Sequence, residues 1–181
     1  MIKKYVSILL LGMIAWTGSL AQKTANAYVR NAGVTAGNYA FDVFVKRTSA
    51  TSIRIGTSNF IFGFNRVALG SPTLSNINSK YTGVNGATDD YAPMTVEVDT
   101  VGGSVFFVNV TVRFTGNGAN GTGGLLVNTE PDGEQFCTVS LPVIDPNATA
   151  SLSWSTTNSG ITHLSADSVQ TTWIGGDNSP L

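Results

Sequence analysis

The chain holds one cysteine and one histidine in 181 residues, and its ten Lys and Arg against eleven Asp and Glu leave a formal charge of −1. With Cys137 alone, no intrachain disulfide can form, so the fold must rest on its own core. The basic residues are scattered, which excludes the clustered basic face that nucleic acid needs. No stretch of helical length keeps apolar residues at i, i+3, i+4 and i+7, so a helical bundle is excluded as well. Nor does any unit of about 20 to 50 residues recur, which removes solenoids and propellers. The one long apolar run lies at the N-terminus.

That run extends from Tyr5 to Trp16, behind Lys3 and Lys4 and ahead of Thr17, Gly18, Ser19, Leu20 and Ala21. A positive start, an apolar centre and a small-x-small end describe an export signal, and the centre is too short for a membrane span of about 20 residues. Cleavage is expected after Ala21, with Ala25-Asn26-Ala27 as the second candidate. Eight basic residues then face eleven acidic ones, a charge of −3, in a length that suits one domain. The expected division is a signal peptide over 1–21, one β-domain over 22–176 and the start of a linker over 177–181. Secretion or surface display follows from the signal.

Residues 22–36 read as a short entry segment. Tyr39, Phe41, Val43 and Val45 then share one parity, and Phe60, Phe62 and Phe64 repeat the pattern after a polar break. Alternation at period two buries one face of a strand and wets the other. It returns at Met94, Val96 and Val98, at Phe106, Val108, Val110, Val112 and Phe114, and at Cys137, Val139 and Leu141. Further strands are predicted at Ile53–Ile55, Leu125–Asn128, Ala150–Trp154 and Val169–Ile174. The segment from Asn78 to Pro93 is polar and reads as a long loop. Strands separated by turn signals, with no helices between them, predict an all-β antiparallel sandwich or jelly roll.

Candidate chemistry is sparse. Cys137 shares the core face of its strand, an inert setting for a thiol. His163, Ser165 and Asp167 would share a strand face, but neighbours two apart lie about 6 to 7 Å from each other, beyond the reach of a nucleophile and its base. They read as a solvated strand end, and no catalytic residue is assigned. Glu130, Asp132 and Glu134 bracket Pro131 and Gly133, oxygen donors of the kind calcium takes and equally the composition of a turn, so no metal site is assigned. The glycine-rich stretch around Gly116 has no Gly-Lys-Ser/Thr and is no phosphate cradle. Trp154, following Leu152, reads as core. Tyr81 and Tyr91, in the polar segment, are the aromatics expected to be exposed, where they would offer sugar rings a platform.

The run Phe41-Asp42-Val43-Phe44-Val45-Lys46-Arg47-Thr48-Ser49, then Ile55-Gly56-Thr57-Ser58-Asn59-Phe60-Ile61-Phe62-Gly63-Phe64-Asn65, and later Val143-Ile144-Asp145-Pro146-Asn147-Ala148-Thr149-Ala150 with Leu152-Ser153-Trp154, resembles cohesin-like modules of secreted Bacteroidetes-type proteins. The likeness spans most of residues 36–175. It implies a jelly roll related to carbohydrate-binding modules and a non-catalytic role, with a calcium-loaded, dockerin-like protein gripped on one sheet face. The polar positions of that face fall on Thr57 and Asn59, where the family carries an amide and a carboxylate. Ile61 shares their parity and is expected to join them in solvent. Asp177-Asn178-Ser179-Pro180-Leu181 resembles the opening of a linker that leads, in such proteins, to a further β-domain and a type IX secretion tail. The expectation is thus a monomeric domain of a longer, truncated chain, binding a protein partner or, in the second reading, a polysaccharide.

Overall fold

A computed structural model describes residues 22–83, 91–99, 105–116, 124, 126, 133–164 and 168–174. Among the described residues ten strands form two sheets: β1 (Thr24–Thr35), β2 (Asn38–Arg47), β3 (Ser58–Asn65), β4 (Thr73–Ser75), β5 (Thr95–Asp99), β6 (Val105–Val112), β7 (Glu134–Pro142), β8 (Ser153–Trp154), β9 (Ile161–Thr162) and β10 (Ser168–Ile174). One sheet runs β4-β7-β2-β1-β10-β9 and the other β5-β6-β3-β8. This is the all-β sandwich that the alternation predicts. One 3-10 turn, Ser79–Tyr81, is the helical element among the described residues.

The strands follow from their side chains. Tyr39, Phe41, Val43 and Val45 point inward from β2 and meet Phe60, Phe62 and Phe64 of β3, which pairs with Val108, Val110 and Val112 of β6. The Phe41 and Phe62 rings pack edge to face, 5.0 Å apart, and Phe60 meets Phe136 of β7 at 5.3 Å. Full burial of each such side chain stabilises the fold by about 1.5 to 3 kcal/mol. Cys137 is fully buried, and burial, with the nearby charge of Asp42, pushes its thiol up to about 12. The expected inert thiol is what the structure holds.

Three expectations change. Residues 24–35 are not an entry segment but the longest strand, β1, set between β2 and β10. Its alternation is carried by Ala25, Ala27 and Val29, whose small apolar surface is a faint signal in sequence. The sheets are not wholly antiparallel, because β10 runs parallel to β1 with Thr24 opposite Gln170 and Tyr28 opposite Ile174. Chain polarity of that kind is invisible in periodicity. Ile53–Ile55 forms no named strand; Ile55 bridges His163, and the segment exchanges backbone hydrogen bonds with Gly124 and Leu126. The predicted strand at 125–128 lies outside the described residues apart from Leu126, which is buried.

Candidate docking face

On β3 the aromatic row and the row of Asn59 and Ile61 take opposite faces. Ser58, Phe60, Phe62 and Phe64 are buried, while Asn59 and Ile61 are half-buried and Thr57, just ahead of the strand, is exposed. Pairing with β6 and β5 extends these positions into rows across the outer face. Asn59 stands beside Thr111 and Thr95, Ile61 beside Asn109 and Glu97, and Gly63 beside Phe107 and Asp99. Thr111 Oγ1 lies 3.1 Å from Asn59 Oδ1 and 3.3 Å from Asn109 Oδ1, so its single hydroxyl hydrogen is within reach of either amide oxygen. Thr57 Oγ1 accepts from the Phe114 amide at 3.3 Å.

Beyond β3, residues 155–160 close the edge of this face. Ile61 N donates to Ser159 Oγ at 2.9 Å, and the Asn59 and Gly160 backbones exchange hydrogen bonds at 2.9 and 3.0 Å. The result is a shallow depression of about 320 Å³ lined by Ile61, Phe107, Asn109, Asp99 and Asn158. Two apolar side chains, two amides and a carboxylate line it. Thr57, Asn59 and Ile61 thus come to one sheet face, as the parity predicts. Phe107, Asn109 and Asn158 join them without having been singled out. Phe107 carried a signal: it is the apolar residue on the otherwise polar parity of Asn109, Thr111 and Arg113.

Tyr81 and Tyr91 are a correction. Both are fully buried, 0% and 1% exposed, and no sugar could stack on them. Tyr81 lies against Phe136 and Tyr91, and its hydroxyl donates to Glu134 Oε2 at 2.8 Å. The Tyr91 hydroxyl donates to the Ile55 carbonyl. Each aromatic body serves the core while its polar tip finds a partner, so a polar neighbourhood in sequence said nothing of its depth. Trp154 is half-buried, with its ring 4.0 Å from Phe62 and 4.7 Å from Trp173, in line with a core role.

Among the described residues the remaining candidates do not assemble a reaction centre. His163 is half-buried rather than solvated: its Nδ1 accepts from the Arg54 amide at 2.9 Å, a backbone support that reading it as a strand end overlooked. Ser165 and Asp167 lie outside the described residues. Glu134 pairs with Lys80, whose Nζ stands 2.9 and 3.1 Å from its two oxygens, while Glu130 and Asp132 lie outside the described residues. Among the described residues no three His, Cys, Asp or Glu side chains gather closely enough to hold a metal ion. No helix among them is long and apolar enough to cross a membrane.

No protein-family model matches the chain, and no curated protein matches it by sequence. Solved structures do. The crystal structure of a CaDoc0917–CaCohA2 complex superposes with a TM-score of 0.53 at 12% identity, over 84% of this chain and 96% of that one. The sixth cohesin of scaffoldin B from Acetivibrio cellulolyticus, solved in complex with a dockerin, gives 0.48 at 14% identity, over 84% and 96%. The seventh ScaB type I cohesin from Pseudobacteroides cellulosolvens gives 0.47 at 14%, over 87% and 96%. Identities this low speak for the fold alone, and the first of these likenesses carries that argument. The chain has a cohesin-like fold, a two-sheet jelly-roll sandwich.

Proposed function

We propose that this chain is a non-catalytic recognition module that docks a folded, dockerin-like protein on the outer face of the β5-β6-β3-β8 sheet. The observation that carries the reading is the depression lined by the apolar Ile61 and Phe107 together with Asn109, Asp99 and Asn158. A desolvated apolar anchor inside a polar rim is how protein interfaces concentrate binding energy. The solved CaDoc0917–CaCohA2 complex, whose fold is similar, supports a protein partner. The reading assigns the chain no cofactor of its own.

The N-terminal signal supports work outside the cytoplasm, at the cell surface or in the medium. The C-terminal resemblance to a type IX secretion linker supports one domain of a larger Bacteroidetes-type surface protein. Tyr81 and Tyr91 offer a polysaccharide no platform, since both are buried.

The test is titration calorimetry of the mature protein against a panel of calcium-loaded dockerin modules, with wild type and Ile61→Lys side by side. A charge placed at Ile61 weakens a partner on this face by about 2 kcal/mol or more. Binding that Ile61→Lys and Asn109→Ala leave intact would place the partner elsewhere and end the proposal.

A further inference from the structure

The outer face of the other sheet carries a second constellation. On β2 the odd-numbered side chains from Tyr39 to Val45 are buried, so Asp42, Phe44 and Lys46 point away from the core. The outward Phe44 pairs in register with Tyr28 of β1 on one side and Gln135 of β7 on the other. Two residues along β2, Arg30, Asp42 and Thr138 form the next row. All six side chains are half-buried. The Tyr28 and Phe44 rings have centroids 5.9 Å apart and planes within 6°, and the Arg30 guanidinium carbon sits 5.2 and 5.7 Å from those centroids.

Two β-bulges build the polar row. On β7 a register shift turns both Phe136 and Cys137 inward and leaves Gln135 beside Thr138, its Nε2 donating to Thr138 Oγ1 at 3.2 Å. On β1 a shift between Arg30 and Gly33 holds Asn31 at φ 53°, from where its Nδ2 donates to Asp42 Oδ2 at 2.6 Å. Asn76, at φ 47°, donates to Thr138 Oγ1 at 3.2 Å, and Thr138 in turn donates to Asp42 Oδ1. Bulges re-aim side chains, and left-handed non-glycine residues cost stability, so both tend to persist where a site uses them. Here all four devices converge on one carboxylate.

We propose that this face binds a neutral polysaccharide of flat, β-linked pyranose rings. A pyranose offers an apolar C–H face and a rim of hydroxyls, which match an aromatic row and an adjacent polar row. Rows two residues apart stand about 6 to 7 Å from each other, and strands about 4.8 Å, so a single sugar ring spans both rows. Asp42 retains acceptor capacity, because its two oxygens offer about four lone-pair sites and two hydrogen bonds use two of them. Within the two rows that a sugar ring would span, Arg30 faces Asp42 in register and their charges balance, which suits an uncharged polymer; Lys46 stands one row beyond Phe44. This site lies on the sheet opposite the docking face and stands independently of it.

Native electrophoresis of the mature protein through gels containing hydroxyethylcellulose, or polygalacturonate as the charged comparison, tests the assignment. Wild type is retarded by hydroxyethylcellulose and not by polygalacturonate. Tyr28→Ala and Gln135→Ala each weaken the retardation by about tenfold, and Ile61→Lys leaves it unchanged. Thermal unfolding verifies that each variant is folded; Gln135→Ala removes no core surface and carries the test should Tyr28→Ala not fold. Absence of retardation in wild type, retardation by polygalacturonate alone, indifference to the folded variants, or loss with Ile61→Lys would each overturn the proposal.

Discussion

Tyr81 lies face to face with Phe136, ring centroids 4.3 Å apart and planes within 3°, and its hydroxyl donates to Glu134. The stack joins the 3-10 turn after β4 to the start of β7, and Lys80 reinforces it through its ion pair with the same carboxylate. Burial, then the charge of Glu134 and the hydrogen bond to it, raise the Tyr81 hydroxyl well above its ordinary value.

That relationship makes the fold sensitive to alkali. Tyr81 and Cys137 both titrate higher in the folded state than unfolded, so their stabilisation is full below the unfolded values and is lost as pH rises past them. Urea unfolding midpoints should hold between pH 6 and 8 and fall steadily above about pH 9. Tyr81→Phe removes one titrating group and should flatten that decline. An equally steep loss in Tyr81→Phe would show that Tyr81 is not its source.

Cys137 should resist alkylation by iodoacetamide at pH 8 in the native protein and react promptly in denaturant. Its thiol is fully buried and pushed up to about 12, so the reactive thiolate is scarce as well as inaccessible. Mass spectrometry after a short exposure decides it.

Phe62 contacts Phe41 of the facing sheet and Trp154 of the neighbouring strand. Phe62→Ala should cost about 3 to 5 kcal/mol, a large share of a typical total of about 5 to 15. An unchanged denaturation midpoint would contradict the packing described.

Gly124 has φ +65°, and a Cβ there would overlap the Tyr91 hydroxyl that bonds Ile55. Gly124→Ala combines backbone strain with overpacking and should destabilise by about 1 to 3 kcal/mol. Pairing it with Tyr91→Phe should recover part of that loss, as the equilibrium denaturation of the double variant would show.

The mature chain should begin at Gln22, outside the cytoplasm, as intact-mass measurement after export would establish. Cleavage after Ala27 would remove Thr24–Ala27 from β1, including Ala25 and Ala27, which are buried between β2 and β10. A product starting at Tyr28 would contradict the reading.

Much of the candidate docking face was legible because parity reports which side of a strand a residue takes. Thr57, Asn59 and Ile61 sit opposite the Phe60, Phe62, Phe64 row, and that inference needs no partner strand. Asn158 could not be found this way, since it reaches the face from the turn after β8, 97 residues beyond Ile61 in sequence. The platform around Tyr28 and Phe44 was hidden for a related reason: it depends on β1 lying beside β2 and on two bulges, and neither register nor bulges leave a periodic trace.

By itself the sequence determined the fold class, the inward rows of β2, β3, β6 and β7, and the inert setting of Cys137. Each depends on local alternation, in which a side chain's own polarity reports its face. Tertiary structure alone decided that Tyr81 and Tyr91 are core, that 24–35 is a central strand with a parallel neighbour, and which outward residues stand side by side. Those outcomes depend on which distant segments pair and in what register, and burial of an amphipathic ring follows from the partner its hydroxyl finds, Glu134 for Tyr81 and Ile55 for Tyr91.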